Sequence, residues 1–263
     1  MNTITKNACG LDVHQKSITA CIMNQGVKKQ IKEFGTTTRQ LIHLKEWLHA
    51  NKITDVAMES TGVYWKPIFN IVGDDFEIML VNAKHIKHVP GRKTDVQDAE
   101  WLCKLLRSGL LQASFIPPQN IRQLRDLTRY QTQLKHQEQN EKRRIHKVLQ
   151  DANIKITSVL SDVFGATGLK ILQDLSSGIT DPKKLSKHME KNIRLSRKRD
   201  EAIEALEGKV TDNHQFMLKI MLQNMAHIQN QIAAIEEEIA VLIQDHQEDH
   251  ELLQTIPGVK KSS

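Results

Sequence analysis

Between residues 8 and 107 the spacing of apolar residues switches repeatedly between a two-residue and a 3.6-residue period. The order of those switches restricts the fold more than any other feature of the chain. ACGLDV (8–13) and SITACIMN (17–24) read as strands, Asn24-Gln25-Gly26 as a turn, and VKKQIKEF (27–34) as a third, more exposed strand. Links this short require antiparallel neighbours. Thr37 to Asn51 carries Leu41, Leu44, Trp47 and Leu48 at helical spacing. DVAMES (55–60) is a fourth strand, and residues 63–72 form a helix with Trp65, Ile68, Phe69 and Val72 along one side. FEIMLV (76–81) is the last strand, followed by a basic loop and a helix beginning near Thr94. The predicted order is therefore βββαβαβα: a β1β2β3 meander, then two crossovers that bring parallel strands beside the first.

That order is the α/β layout of ribonuclease-H-like (RuvC-like) nucleases, and it also occurs in each half of sugar-kinase-like and actin-like ATPases. The ATPase reading is set aside because no glycine-rich phosphate loop follows the first strand and no second half-domain is present. On the nuclease layout the first and fourth strands are parallel neighbours, so Asp12 and Glu59 are expected to project side by side. Asp95 and Asp98 open the helix that covers the same edge. An acid inside an apolar strand is costly unless it is paired or bound to a cation, which singles out Asp12. Thr94-Asp95-Val96-Gln97 matches a capping box, placing Asp95 and Asp98 on one face of the first turn. The helix dipole stabilises each of them by only about 0.3–1 kcal/mol, too little to offset four converging anions. Mg²⁺ suits such an all-oxygen set, and two such ions would clamp the attacking and leaving oxygens of phosphoryl transfer.

The charge distribution supports a polyanionic partner. The chain carries a formal net charge of +6, yet residues 82–147 alone hold fourteen Lys/Arg against six Asp/Glu. His85 and His88, beside Lys84, Lys87, Arg92 and Lys93, read as part of a phosphate-contacting loop, because no third ligand lies at suitable spacing. Arg122, Arg125, Arg129, Lys142, Arg143 and Arg144 extend the expected nucleic-acid surface. Cys9, Cys21 and Cys103 lack CxxC spacing and read as buried thiols of a reducing cytosol. With no signal-peptide pattern and no run of about 18 apolar residues, the expectation is a cytoplasmic protein with no membrane partner.

Phe115-Ile116-Pro117-Pro118 marks a hinge, so the first domain is expected over 1–116 and an all-α coiled-coil region over 117–250. Gln119 to Asp151 is composed of helix formers, and its centre, KHQEQNEKRR (135–144), looks too polar to pack in a core. Residues 152–208 read as shorter helices broken at Gly165, Gly168, Gly178 and Pro182. Leu218, Met221, Met225, Ile228, Ile232, Ile235, Ile239 and Leu242 follow alternating three- and four-residue steps, a heptad seam. It predicts a coiled-coil hairpin, with 119–151 as a candidate partner, that also forms a homodimer or tetramer; one face of an intramolecular bundle is the alternative.

GLDVH, MESTGVYWKP, LVNAKHIKHVPGRKTDVQDAEWLCKLLRSG and LRDLTRYQTQL together resemble the DEDD-type insertion-sequence transposases, relatives of the Piv/MooV invertases that include bridge-RNA-guided recombinases. The resemblance covers about residues 8–150. It implies a RuvC-like site made of Asp12, Glu59, Asp95 and Asp98, holding Mg²⁺ or Mn²⁺. It also implies DNA partners (element ends and target) and a structured guide RNA. Members of that family continue into a domain with a nucleophilic serine, opening with a stretch like LLQTIPGVG. Here residues 251–263 read as the start of that helix-hairpin-helix domain, LLQTIPGVKKSS, with Lys260 where glycine is expected. The expectation is a truncated transposase lacking strand transfer. Two other readings stay open: a stand-alone metal-dependent junction nuclease, and a non-catalytic dimeric RNA- or DNA-binding protein.

Overall fold

The computed structural model describes residues 5–24, 29–60, 62–82, 95–189, 199–244 and 247–257, with the side chains of 95–97 and 249–250 outside that set. The chain divides into two compact units, Met1–Pro117 and Pro118–Ser263.

The first unit is built on five strands: β1 (Ala8–Val13), β2 (Ser17–Met23), β3 (Gln30–Gly35), β4 (Asp55–Glu59) and β5 (Glu77–Val81). Their order in the sheet is β3-β2-β1-β4-β5. The first three form an antiparallel meander, and β4 and β5 add parallel to β1. This is the mixed sheet of the ribonuclease-H-like layout, as the period changes predict. Strand β3 begins at Gln30; the earlier start expected at Val27 lies partly outside the described residues. β3 is an edge strand carrying Lys32 and Glu33 outward, which discourages pairing with another chain. The other edge is partly covered, since Val81 bridges Ala113 and the Ser114 amide donates to the Leu80 carbonyl at 2.7 Å.

Side-chain alternation sorts the sheet into two faces. Cys9, Leu11, Ile18, Ile22, Val56, Met58 and Leu80 pack under α1 (Thr38–Ala50) and α2 (Trp65–Val72), through Leu41, Leu44, Leu48, Ile68 and Val72. The opposite face offers Ala8, Cys21, Met23 and Ala57 to α3 (Asp95–Arg107), which answers with Ala99, Cys103 and Leu106. Small residues here let the helix come very close. A Cβ at Gly10 would stand 2.2 Å from the Ala99 carbonyl oxygen and 2.5 Å from the Cys103 nitrogen.

The second unit pairs two long helices, α4 (Gln119–Asp151) and, further along the chain, α8 (Asp212–Ile243). Their partners fall in antiparallel order. His214 meets Asp151 at 2.8 Å, Asn224 donates to Glu141 at 2.9 Å, Gln229 to Glu138 at 2.9 Å, and Gln131 to Glu236 at 2.9 Å. The heptad positions of α8 from Leu218 to Ile235 pack within the unit, while Ile239 and Leu242 are half-buried. Leu218 and Met225 join the main core, while Ile228, Ile232 and Ile235 close on Leu134.

The polar centre of α4 is largely exposed, with one exception at Glu141. Glu141 is only 6% exposed, and the carboxylate is held by Asn224 and Arg144. Each polar group that enters the seam meets a polar group from α8, which removes the penalty of burying it alone.

Between the long helices lie α5 (Ala166–Ser176), α6 (Pro182–Ser186) and α7 (Arg199–Leu206); α9 (Gln247–Gln254) follows α8. Gly165 and Pro182 stand at helix starts as expected, and Gly178, at φ +89°, follows the end of α5. Gly168 instead lies within α5, where a side chain would strike the Val163 carbonyl. Its small size serves packing rather than a break.

Gly10→Val tests the closeness of α3 to the sheet. Overpacking of this kind costs about 1–3 kcal/mol, and contact with backbone rather than a yielding side chain places the expected loss at the upper end. Urea denaturation followed by circular dichroism should give a clearly lowered midpoint; an unchanged midpoint would mean that the helix does not rest on β1.

Candidate active site

The parallel ladder between β1 and β4 runs from Ala8 beside Asp55 to Leu11 beside Met58. One step further, Asp12 and Glu59 stand at the same level where the two strands end. Leu11 and Met58 point into the core under α1 and α2, so alternation turns Asp12 and Glu59 to the other face, the face of Gly10, Ala57 and α3. Asp12 is 8% exposed and Glu59 is half-buried.

Helix α3 runs against β1 in the opposite direction. The Thr5 amide donates to the Arg107 carbonyl at 3.2 Å, the Cys103 thiol to the Ala8 carbonyl at 3.3 Å, and Ala99 and Cys103 straddle Gly10. From Gly10 to Asp12 is two strand residues, about 7 Å. At 1.5 Å per residue that is roughly four to five positions along the helix. Counted from the midpoint of the Ala99–Cys103 contact, the level of Asp12 falls between Asp95 and Asp98. The helix start is thus brought to the strand ends, with Asp98 half-buried there.

Among the described residues, no three His, Cys, Asp or Glu side chains come close enough to hold a metal ion between them. The side chain of Asp95 is outside that set, as are Lys84, His85, Lys87, His88, Arg92 and Lys93. The donor chemistry of Asp12, Glu59 and Asp98 is all carboxylate oxygen, which fits a hard divalent cation. Glu100, the next acid on α3, is engaged elsewhere. Lys104 and Lys29 bond its carboxyl at 2.6 and 2.5 Å and hold it below the usual carboxylate range.

One neighbour of the site escaped the sequence reading. His14 Nε2 lies 3.1 Å from Asp12 Oδ2. Its own amide donates to the Ser17 carbonyl at 2.9 Å, so the turn from β1 to β2 fixes the backbone that carries the imidazole. The signal was the two-residue spacing in DVH, which puts both side chains on one side of the strand.

Cys21 and Cys103 pack α3 onto the sheet, while Cys9 lies in the core of the other face, beneath α1 and α2. Burial pushes Cys9 well up. A hydrogen bond between Cys21 and Cys103 draws the Cys21 thiol down and, with burial, drives Cys103 far up.

The expected basic surface of α4 is mixed. Arg125, Arg129 and Arg143 are exposed, and Arg122 is half-buried. Lys142 is committed within the unit, with Glu138 at 2.9 Å and the Phe164 ring 5.6 Å away. Arg144 bonds Glu141.

Residues 9–154 match the family model for DEDD transposases of the IS110 type, described as transposase. Two solved structures of RuvC from Thermus thermophilus align as well, each over 41% of this chain and 99% of theirs. One, in complex with a Holliday junction substrate, is 10% identical with a TM-score of 0.32; the other is 12% identical with a TM-score of 0.31. No curated protein matches the sequence.

The thiol packing makes a direct prediction. In the native chain Cys9 and Cys103 should react with Ellman's reagent far more slowly than free cysteine, and all three thiols should react promptly in denaturant. Rapid reaction of Cys103 under native conditions would show that α3 does not stay on the sheet.

Proposed function

The chain belongs to the family of DEDD transposases, and on that premise we propose that it carries out phosphoryl transfer on DNA at the ends of β1 and β4. Asp12, Glu59, Asp95 and Asp98 are the site residues. The observation that carries this reading is the shared level and shared face of Asp12 and Glu59 on neighbouring parallel strands, with the start of α3 at the same height.

Asp12, Glu59, Asp98 and Asp95 would hold Mg²⁺ or Mn²⁺. Bound there, the cation would polarise the scissile phosphate and favour ionisation of the attacking oxygen. The chain's own part is positional. Two adjacent strands fix Asp12 and Glu59 with little freedom, which is the preorganisation that electrostatic catalysis needs. His14 Nε2, 3.1 Å from Asp12 Oδ2, would donate to that oxygen and help fix the carboxylate in place. Exposed Arg125, Arg129 and Arg143 on α4 would contact phosphates of the nucleic acid. Lys84, Lys87, Arg92 and Lys93, which precede α3 in the sequence, would also contact phosphates, with Arg122 as a further contact and Lys142 and Arg144 released from their internal pairs. DNA is the substrate. A structured guide RNA and self-association through α8 complete the proposed assembly.

A second reading has one observation in its favour: Arg125, Arg129 and Arg143 stand exposed on α4, where they need no cation to meet phosphates. On that reading the chain binds nucleic acid without cutting it.

One experiment separates them. Wild type, Asp12→Asn, Glu59→Gln and Asp98→Asn are incubated with Mn²⁺ and linear or branched DNA carrying element ends, with and without guide RNA. Strand cleavage is expected from the wild type, reduced about 10²-fold or more in each variant. Denaturing gels distinguish free strand ends from covalent protein–DNA adducts, and so nuclease from transposase chemistry. Equal binding by all four proteins with no cleavage would establish the binding-only reading. A companion measurement follows the melting temperature as Mn²⁺ is added. A cation that binds the folded state alone at 100 times its Kd stabilises it by about 2.7 kcal/mol, so the wild type should shift and Asp12→Asn should not.

A further inference from the structure

Residues 183–199 contain eight Lys/Arg and one Glu, an excess greater than the net charge of the entire chain. The described part of this stretch is α6 with the short 3-10 turn that follows it, Lys187–Met189. Leu185, Ser186 and Met189 are buried, at 0%, 1% and 2% exposure. They fasten one side of the segment to the core of the second unit. Lys183, Lys184 and Lys187 are all exposed, and their spacing places them together on the outward side. The start is fixed as well. Pro182 opens α6, and the side chain of Asp181 accepts from the Lys183 amide at 3.0 Å.

Lysines elsewhere are drawn into ion pairs: Lys45 with Asp75, Lys104 with Glu100, Lys142 with Glu138. Lys183, Lys184 and Lys187 have no ion-pair partner among the described residues, although α7, which packs against α6, presents Asp200, Glu201 and Glu204 to solvent. His188 at the same place is spoken for, with Nε2 2.7 Å from Asp174. The result is a row of three exposed ammonium groups, mounted on a buried apolar side, with no ion-pair partner among the described residues.

We propose that α6 and its following turn form a second nucleic-acid contact, separate from the acidic site and from α4, that grips the phosphate backbone of a duplex. Sequence-independent binding of single strands depends on aromatic side chains for base stacking. Residues 178–199 contain no Phe, Tyr or Trp, which leaves the regularly spaced phosphates of a double helix as the matching partner. Neither a cation nor catalysis is required, so the contact stands or falls independently of the proposed active site.

The test uses the full chain and a 30-base-pair duplex of arbitrary sequence, as DNA and as RNA, with binding measured by fluorescence anisotropy between 50 and 200 mM NaCl. Each neutralised phosphate contributes about 0.9 to the slope of log K against log salt. Lys183→Gln/Lys184→Gln/Lys187→Gln should therefore reduce the slope by about 2–3. The matching triple Arg variant should keep it. A loss seen with only one of the two duplexes identifies that duplex as the occupant. An unchanged slope in the Gln variant with unchanged circular dichroism overturns the proposal. So does a loss confined to single-stranded oligonucleotides, or one seen only with phosphatidylserine-containing vesicles.

Discussion

Helix α3 approaches β1 at Gly10 closely enough to exclude a side chain there, and the geometry of the proposed acidic site follows from that contact. A helix normally stands off a sheet by the thickness of two side-chain layers. Here one layer is missing at the point of contact, and the backbone of Ala99 and Cys103 sits directly over the strand. Small residues continue the contact on both sides: Ala8, Ala57 and Cys21 on the sheet, Ala99 and Cys103 on the helix. With the helix this low, its first turn reaches the ends of β1 and β4, where Asp12 and Glu59 are already side by side. A larger residue at position 10 would lift the helix and separate its acids from those of the strands.

Much of this arrangement was legible in the chain itself. Period changes gave the strand order, because each strand is half-buried and a slip of one residue would expose its core face. Asp12 stood out because an acid among apolar strand residues has few cheap explanations. His14 was passed over because an exposed histidine at a turn is ordinary, and its value lies in a contact that only the strand geometry reveals.

The helical unit was harder to read for a physical reason. A heptad seam is visible in α8, where the apolar residues recur without a gap. In α4 the same spacing holds Gln131, Glu138 and Glu141 among the leucines and isoleucines, so Glu141 looked as solvated as the rest of the centre. Their partners, Glu236, Gln229 and Asn224, lie roughly eighty to a hundred residues later. Such pairs are invisible to any reading that takes one helix at a time. They also resist sliding, since a shift of one turn would bury carboxylates against apolar neighbours without a donor. That use of polar groups to fix register is well suited to a long helix pair.

The rise of α3 over β1 carries one more consequence. Side chains in this region can be exchanged without moving the acids, provided the small residues at the contact stay small. Length cannot be changed so freely. Inserting a single residue between Asp98 and the Ala99–Cys103 contact would turn the start of the helix by about 100° and carry both of its aspartates away from the strand ends. Members of this family should therefore vary in composition along α3 far more readily than in the number of residues separating its acids from the point where it touches the sheet.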